Sequence, residues 1–275
     1  MSQGKLKFAI FSNEYKKQES VPYVERILKF LSQHDAEGMV EPVDMDNADY
    51  AISMGGDGTF LKAASRVADR NIPVIGINMG RLGFLADVLP GEVEEVLQKV
   101  IDGDCNIEEH TVIQVESDGQ ALDGNLFALN DVALLKRDTA SMISIKTFVN
   151  DEFLVTYQAD GLIASTPTGS TAYNLSNGGP IIVPQSGSLC LTPVAPHSLN
   201  IRPIVINDTS VIKMHVESRS HKFLIAIDGR SQEVAEGTSI TIRKAPYTVK
   251  IVKQKKQRYF STLREKLMWG ADTRQ

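Results

Sequence analysis

The chain has 275 residues, 42% of them apolar, enough for a core spanning one long domain or two ordinary ones, and too many for a mainly disordered chain. Its 29 basic and 34 acidic residues leave a net charge of -5, which is not the electrostatic footprint of a nucleic-acid binder. Cys105 and Cys190 are far apart, with no CxxC and no His/Cys cluster, so they read as reduced thiols, a single disulfide being the alternative.

The first apolar run, Phe8 to Phe11, is too short for a secretory core, and no later run approaches a membrane span. The expectation is a cytoplasmic protein with no membrane and no nucleic-acid partner.

In chain order, "KLKFAIF" reads as a strand and "VPYVERILKFL" as a helix with Val24, Ile27, Leu28 and Leu31 on one face. "MVEPV" and "YAISM" are short strands. Phe60, Leu61, Ala64, Val67 and Ala68 then share a helical face, and "IPVIGI" is β-branched and nearly all apolar, as in a strand buried on both sides. Strand, Gly-rich loop, helix, strand is a βαβ unit. After the turn "NMGRLGF", the segment "GEVEEVLQKVIDG" keeps the helical period through Ile101, with Gly103 as its stop. The assembly expected is an open, largely parallel sheet with helices on its faces.

Beyond about residue 105 strands dominate: "TVIQVES", "NLFALNDVALL", "SMISIKTFVN", "EFLVTYQADGLIAS", "RPIVIND", "SVIKMHVES", "KFLIAIDG", "TSITIRK" and "YTVKIVK". Asn150 and Asp151 sit between two alternating runs as a hairpin turn. Residues 173–200, rich in Gly, Pro, Ser and Asn, read as a long functional or mobile loop. The final helix, "FSTLREKLMWG", takes Ser261 as its cap and Trp269 as a packing residue; before it, Lys253 to Arg258 is a basic run, either a solvated edge or an anion-facing or subunit-facing patch. The expected boundaries are 1–105 with 253–275 for the α/β domain and 106–252 for the β domain.

The chemistry concentrates in "ISMGGDGTFLKAA". Gly55, Gly56 and Gly58 let backbone N–H groups approach an anion, and a helix N-terminus with Thr59 as N-cap adds partial positive charge. The pattern is neither a P-loop nor GxGxxG. Asp57 stands out, because two unit charges ~4 Å apart interact by roughly 4 kcal/mol at an effective dielectric near 20. A carboxylate beside phosphates must bind Mg²⁺, accept a hydroxyl proton or hydrogen-bond a sugar. In a second stretch, "DGLIASTPTGSTAYNLSNGG", Ser165, Thr166, Thr168, Ser170 and Thr171 gather hydroxyls at one mouth, with Tyr173 able to stack, Asp160 before them and "LND" ending another strand. Lys213, His197, His215 and His221 have no matching partners and read as structural or surface residues.

Together, "GGDGTFLKAA", "GINMGRLGFLAD", "LNDVAL", "DGLIASTPTGSTAYNLSNGGPI" and "PHSLNIRPIVI" closely resemble NAD kinases, in the family's order and from about residue 50 onward. The resemblance implies an α/β domain, a β-sandwich domain and a C-terminal return to the first. It also implies transfer of a nucleoside triphosphate γ-phosphate to the adenosine-ribose 2′-hydroxyl of NAD, a divalent cation such as Mg²⁺ delivered with ATP, and a homodimer or homotetramer. By position, Asp57 matches the general base; Gly55, Gly56, Gly58 and Thr59 match the phosphate loop, and Lys62 a phosphate contact. Asn130 and Asp131 match a pair usually Asn-Glu that holds the adenine and ribose region; Asp131 is one methylene shorter. Asp160 matches an aspartate at the nicotinamide end. Thr168 and the run Thr171, Ala172, Tyr173, Asn174, Leu175 and Ser176 match the pocket lining, and Arg230 stands where the family pattern has glutamine. A GGDG loop also occurs in diacylglycerol-kinase-like lipid kinases and phosphofructokinases. The Ser/Thr stretch and "PHSLNIRP" favour NAD over a lipid acceptor, and Asp57 favours an enzyme over a non-catalytic nucleotide sensor.

Overall fold

The structure, a computed structural model, describes residues 5–13, 17–45, 47–80, 83–138, 141–255 and 259–270. Residues 81–82 of the "NMGRLGF" turn and 256–258 of the basic run lie outside the described residues. The chain divides into two units, one running to Glu109 and resuming at Val249, the other His110–Thr248.

In the first unit, β1 (Leu6–Ser12), α1 (Lys17–Gln33), β2 (Ala36–Val40), β3 (Tyr50–Gly55), α2 (Asp57–Val67), β4 (Val74–Asn78) and α3 (Val93–Ile101) alternate as the periodicity predicts. The strands lie side by side in the order β2-β1-β3-β4, all parallel. Every residue of β4 is buried, as its unbroken apolar run requires. Phe8, Ile10, Ile27, Leu31, Ile52, Ile75, Leu97 and Val252 pack in the core of this unit. Gly103, at φ 70°, stops α3 by donating its N–H to the Val100 carbonyl at 3.1 Å.

The second unit is built from β5 (Asn106–Asp118), β6 (Phe127–Ala128), β7 (Asp131–Lys136), β8 (Ile143–Val149), β9 (Glu152–Ala159), β10 (Gly161–Ser165), a 3-10 turn (Thr168–Thr171), α4 (Tyr173–Ser176), β11 (Ser188–Val194), β12 (Ile204–Asn207), β13 (Ile212–Glu217), β14 (Lys222–Ile227), β15 (Arg230–Ala235) and β16 (Ser239–Lys253). One antiparallel sheet runs β12-β11-β10-β7-β14-β15, and another contains β16-β13-β8-β9. Val132, Leu134 and Ile225 of the first and Ile145, Met214 and Ile240 of the second share one core, which makes the unit a sandwich. Asn150 and Asp151, at φ 52° and 63°, form the β8–β9 hairpin turn. The last residues of β16 belong to the first unit, where Ile251 pairs with Val74 of β4, and α5 (Tyr259–Leu267) follows.

Four local expectations change. The supposed long loop contains β11, whose Pro193 is tolerated in a central strand because β12 reaches only Ser188–Leu191 on that side. Thr59 does not cap α2: Gly56 is the N-cap and the helix already starts at Asp57. Ser261 likewise lies inside α5. Trp269 is 56% exposed, because α5 ends at Leu267 and Met268, at φ 49°, turns the chain out of the helix. Both cysteines are free thiols. No helix among the described residues is long and apolar enough to cross a membrane.

Candidate active site

In the first unit the site begins where β3 turns into α2. The Gly55 backbone lies so close to Thr59 that a Cβ there would stand 2.2 Å from the Thr59 hydroxyl, so glycine is needed for the turn to close. At Gly56 and Gly58 a Cβ would meet nothing within 4 Å. Packing therefore explains the first glycine and leaves the other two facing open space at a helix N-terminus, where unpaired N–H groups and the dipole favour an anion.

Asp57 is the first residue of α2, yet its carboxylate is not turned loose into that space. Oδ1 accepts the N–H groups of Leu85 and Ala86, both at 3.0 Å, and Oδ2 accepts that of Phe84 at 2.8 Å. The donor segment is pressed against β4: Gly76 admits the Leu85 carbonyl and Ala86 Cα, which would stand 2.6 and 2.7 Å from a Cβ. Asn78 Nδ2 binds the Ala86 carbonyl at 3.1 Å, and Val88 exchanges backbone bonds with Gly76 and Asn78. Gly83 is required as well, because a Cβ there would stand 2.0 Å from Asp57 Oδ1. A carboxylate has about four lone-pair positions, so three are taken and one, on Oδ2, remains for a further donor.

The described lysines of the basic run have individual partners. Lys253 is half-buried and paired with buried Asp87, whose carboxyl is raised by burial against the pull of that ammonium. Lys255 pairs with Asp104. Lys62 is exposed on α2, away from any place in the core.

In the second unit the "LND" strand end and the Ser/Thr stretch do meet. Thr166 Oγ1 donates to the Leu129 carbonyl at 2.5 Å and its N–H to that of Asn130 at 2.9 Å. A Cβ at Gly169 would stand 2.1 Å from the Asn130 carbonyl oxygen, so that glycine lets the two segments touch. Most of the expected ring of hydroxyls turns out to hold the loop together. Ser165, Thr166 and Ser170 are fully buried, and Ser165 and Ser170 donate to the carbonyls of Thr166 and Pro167. Asn174 is held in the same way: its buried amide donates to the carbonyls of Ser170 and Pro180 and accepts Thr192 Oγ1. Thr168, Thr171, Ala172 and Leu175 are half-buried, Ser176 is exposed, and Tyr173 is 39% exposed, so these remain able to meet a ligand. Asp160 is paired with Lys136 Nζ at 2.7 Å. Arg230 lines a separate shallow cleft of about 220 Å³ with Asp123, Asn125 and Gln232, its Nε on the Ile227 carbonyl at 3.2 Å.

Two residues of this unit escaped sequence reading. Asp228 accepts the N–H groups of Leu129, Asn130 and Asp131 at 2.8, 2.8 and 3.2 Å, which fixes the predicted pair. It was hidden in an Asp-Gly turn, at φ 47° and 77°, that reads as punctuation. Beside it, buried Asp131 is pushed up to about 7 by burial and then by the Asp228 charge. His110, also buried, meets Thr168 Oγ1 through Nδ1 at 2.8 Å. His215 bonds Ser239 and His221 pairs with Glu236, both as structural contacts.

A glycine-lined helix start with an oriented carboxylate, in a parallel α/β unit followed by an antiparallel sandwich, defines a two-domain protein whose first unit carries an anion-suited helix start. Comparison with known proteins makes that class specific. Residues 5–105 match the ATP-NAD kinase N-terminal domain and residues 129–254 the ATP-NAD kinase C-terminal domain. An NAD kinase of Bacteroides fragilis is 51% identical, covering 98% of this chain and 100% of its own, and one of Porphyromonas gingivalis is 42% identical, covering 98% and 99%. Among solved structures, an NAD kinase from Archaeoglobus fulgidus in complex with ATP superposes with TM-score 0.80 at 28% identity, over 96% of this chain and 99% of that one. Yeast NADH kinase complexed with NADH shares the fold, with TM-score 0.87 at 22% identity over 99% and 90%. The chain belongs to the NAD kinase family and is an enzyme that phosphorylates NAD.

Proposed function

We propose that the chain moves the γ-phosphoryl group of ATP to the 2′-hydroxyl of the adenosine ribose of NAD, with Asp57 as the proton acceptor. The ribose oxygen forms its bond to the γ-phosphorus as the bridging bond to the β-phosphate breaks. The hydroxyl proton passes to Asp57 Oδ2, and NADP and ADP leave. The observation that carries this reading is the Asp57 carboxylate, oriented by three backbone N–H groups with one lone pair of Oδ2 left over. Gly56 and Gly58, glycines without a packing reason, support phosphates passing close to the backbone there. Phosphoryl transfer of this kind rests on positioning and charge neutralisation more than on covalent chemistry.

The other assignments follow the same logic. Lys62 contacts phosphate, Asn130 and Asp131 hold the adenine and ribose side of NAD, Tyr173 stacks on a base, and Thr168, Thr171, Ala172, Leu175 and Ser176 line the pocket. Asp160 serves the nicotinamide end through its pairing with Lys136, and Arg230 a more distant polar part. The described residues contain no group of three or more His, Cys, Asp or Glu side chains suited to holding a metal, and three of Asp57's acceptor positions are engaged. That donor set fits a divalent cation such as Mg²⁺ whose ligands are mainly triphosphate oxygens and water. When bound, such an ion neutralises charge on the β- and γ-phosphates. We place the enzyme in the cytoplasm as a homodimer or homotetramer, supported by the exposed Ile204 and Val205 on the edge strand β12, with light scattering as the check.

The test is Asp57→Asn, assayed for NADP formation from NAD and ATP. Asparagine keeps an oxygen for Leu85 and Ala86 and loses the proton-accepting charge. Turnover is expected to drop 10² to 10⁴-fold, roughly the share of a general base, with NAD affinity retained. Wild-type turnover would remove Asp57 from the chemistry.

A further inference from the structure

The carboxylate of Asp57 has a hidden neighbour that the reaction scheme does not use. Lys266 lies on α5, three and four residues after Leu263 and Thr262, the buried residues of that helix, so it falls on the inward face. Its Nζ has no exposed surface and no hydrogen-bond partner among the described residues. What it has is an aromatic seat: Nζ stands 4.2 Å from the centroid of the Phe84 ring. Phe84 is the residue whose N–H holds Asp57 Oδ2.

Among the described residues, the charged groups around this ammonium come from three places in the chain. Asp57 at the start of α2 and Asp87 after the donor segment attract it, and Lys253 at the end of β16 repels it. Lys253 already pairs with Asp87 and also approaches the Phe84 carbonyl at 3.5 Å. Asp87 is therefore matched by one lysine, and Asp57 is the carboxylate left for the other. A buried ammonium without a hydrogen-bond acceptor is costly, and a methionine would fill the same space at lower cost. Burial does bring Lys266 down to about 8.

We propose that Lys266 is a positioning residue for phosphoryl transfer: its ammonium, seated on the Phe84 ring, holds in register the peptide that orients Asp57 and balances the Asp57 charge. The proposal rests on Asp57 being the proton acceptor. It makes α5, far along the chain from the glycine loop, part of the machinery, acting through Phe84 without touching either substrate.

The experiment is the pH profile of kcat for the full chain with NAD, ATP and Mg²⁺, run on the wild type, Lys266→Met, Lys266→Arg and each change combined with Asp57→Asn. The wild type should lose kcat with a midpoint near pH 8. Lys266→Met should lower kcat 10- to 100-fold with KM for NAD within about threefold, and should show no alkaline limb. Lys266→Arg, charged throughout, should recover most of the rate and move the limb upward. In the Asp57→Asn background Lys266→Met should have no further effect, since the two act as a unit. A wild-type profile flat through pH 8, a Lys266→Met enzyme with normal kcat, or an undiminished Lys266→Met effect in the Asp57→Asn background would each overturn the proposal. The last outcome, with Asp57→Asn itself still slow, separates its failure from that of the general-base reading, which only a fast Asp57→Asn enzyme would sink. Should Lys266→Met fail to fold, the wild-type and Lys266→Arg profiles decide alone.

Discussion

The two units use one device twice. Asp57 accepts the N–H groups of three consecutive residues, Phe84, Leu85 and Ala86, and Asp228 accepts those of Leu129, Asn130 and Asp131. The surroundings differ in sign. Asp57 is half-buried at a helix N-terminus with the Lys266 ammonium attracted to it, while Asp228 is half-buried with a second, buried carboxylate, Asp131, for company. The first arrangement leaves an acceptor position of the carboxylate beside open space, and the second fixes the segment that carries Asn130. On the proposed reaction, one geometry serves chemistry in one unit and architecture in the other, according to what lies beyond the carboxylate.

Breaking each clamp should therefore give opposite phenotypes. Asp228→Ala leaves three backbone donors in a buried strand end without their acceptor, and a lost buried partner costs about 1–3 kcal/mol each. Allowing for water entry, thermal unfolding should show a loss of about 3–5 kcal/mol. Asp57→Ala should give the larger fall in turnover and the smaller fall in stability. Equal stability losses would show that both clamps are architectural.

A narrower pair of substitutions acts on the glycines. In Gly83→Ala the new Cβ is built 2.0 Å from Asp57 Oδ1, so the carboxylate must move, and kcat should fall by about 10²-fold, as misplaced reacting groups do. Gly58→Ala meets no protein atom, so stability should hold or rise slightly while KM for ATP increases. If Gly58→Ala leaves KM unchanged in steady-state kinetics, phosphates do not pass over that backbone.

These contrasts explain what the sequence made readable. Period and Gly-rich punctuation marked the βαβ unit, the hairpin at Asn150 and the strands of the second half, because those signals are local. Asp57 was legible because a charge among glycines is anomalous. Its partners were not: backbone N–H groups carry no side-chain signature, and Phe84 to Ala86 reach it only after Gly76 lets their segment pack on β4. Asp228 and Lys266 were invisible for the same reason, each meeting its targets from about a hundred residues or more away in the chain. Conversely, the Ser/Thr stretch looked like a wall of ligand donors because a hydroxyl in the sequence does not reveal whether a carbonyl already holds it. Ser165, Thr166 and Ser170 point inward. Tyr173 and the half-buried threonines keep the face that a ligand could use.

The like-charge pair in the second unit can be read by pH alone. Asp131 rises from an ordinary 3.8 to about 7 in the folded chain, so between those values the native state holds a proton that the unfolded chain has released. Its contribution to stability is complete below about pH 4 and is lost as pH rises through about 7. Asp131→Asn mimics the protonated form at every pH. Below about pH 4 its stability should match the wild type, and its excess should grow as pH rises and level off above about pH 7 at roughly 3–4 kcal/mol in denaturant titrations, each tenfold change in proton affinity being worth about 1.4 kcal/mol. The gain would identify the shorter carboxylate at this position as a group tolerated at some cost to the fold, as expected of a residue kept for the ribose contact proposed above. A stability difference that does not change between pH 5 and pH 8 would mean that Asp131 is ionised throughout, and that the wall around Asn130 bears two full negative charges side by side.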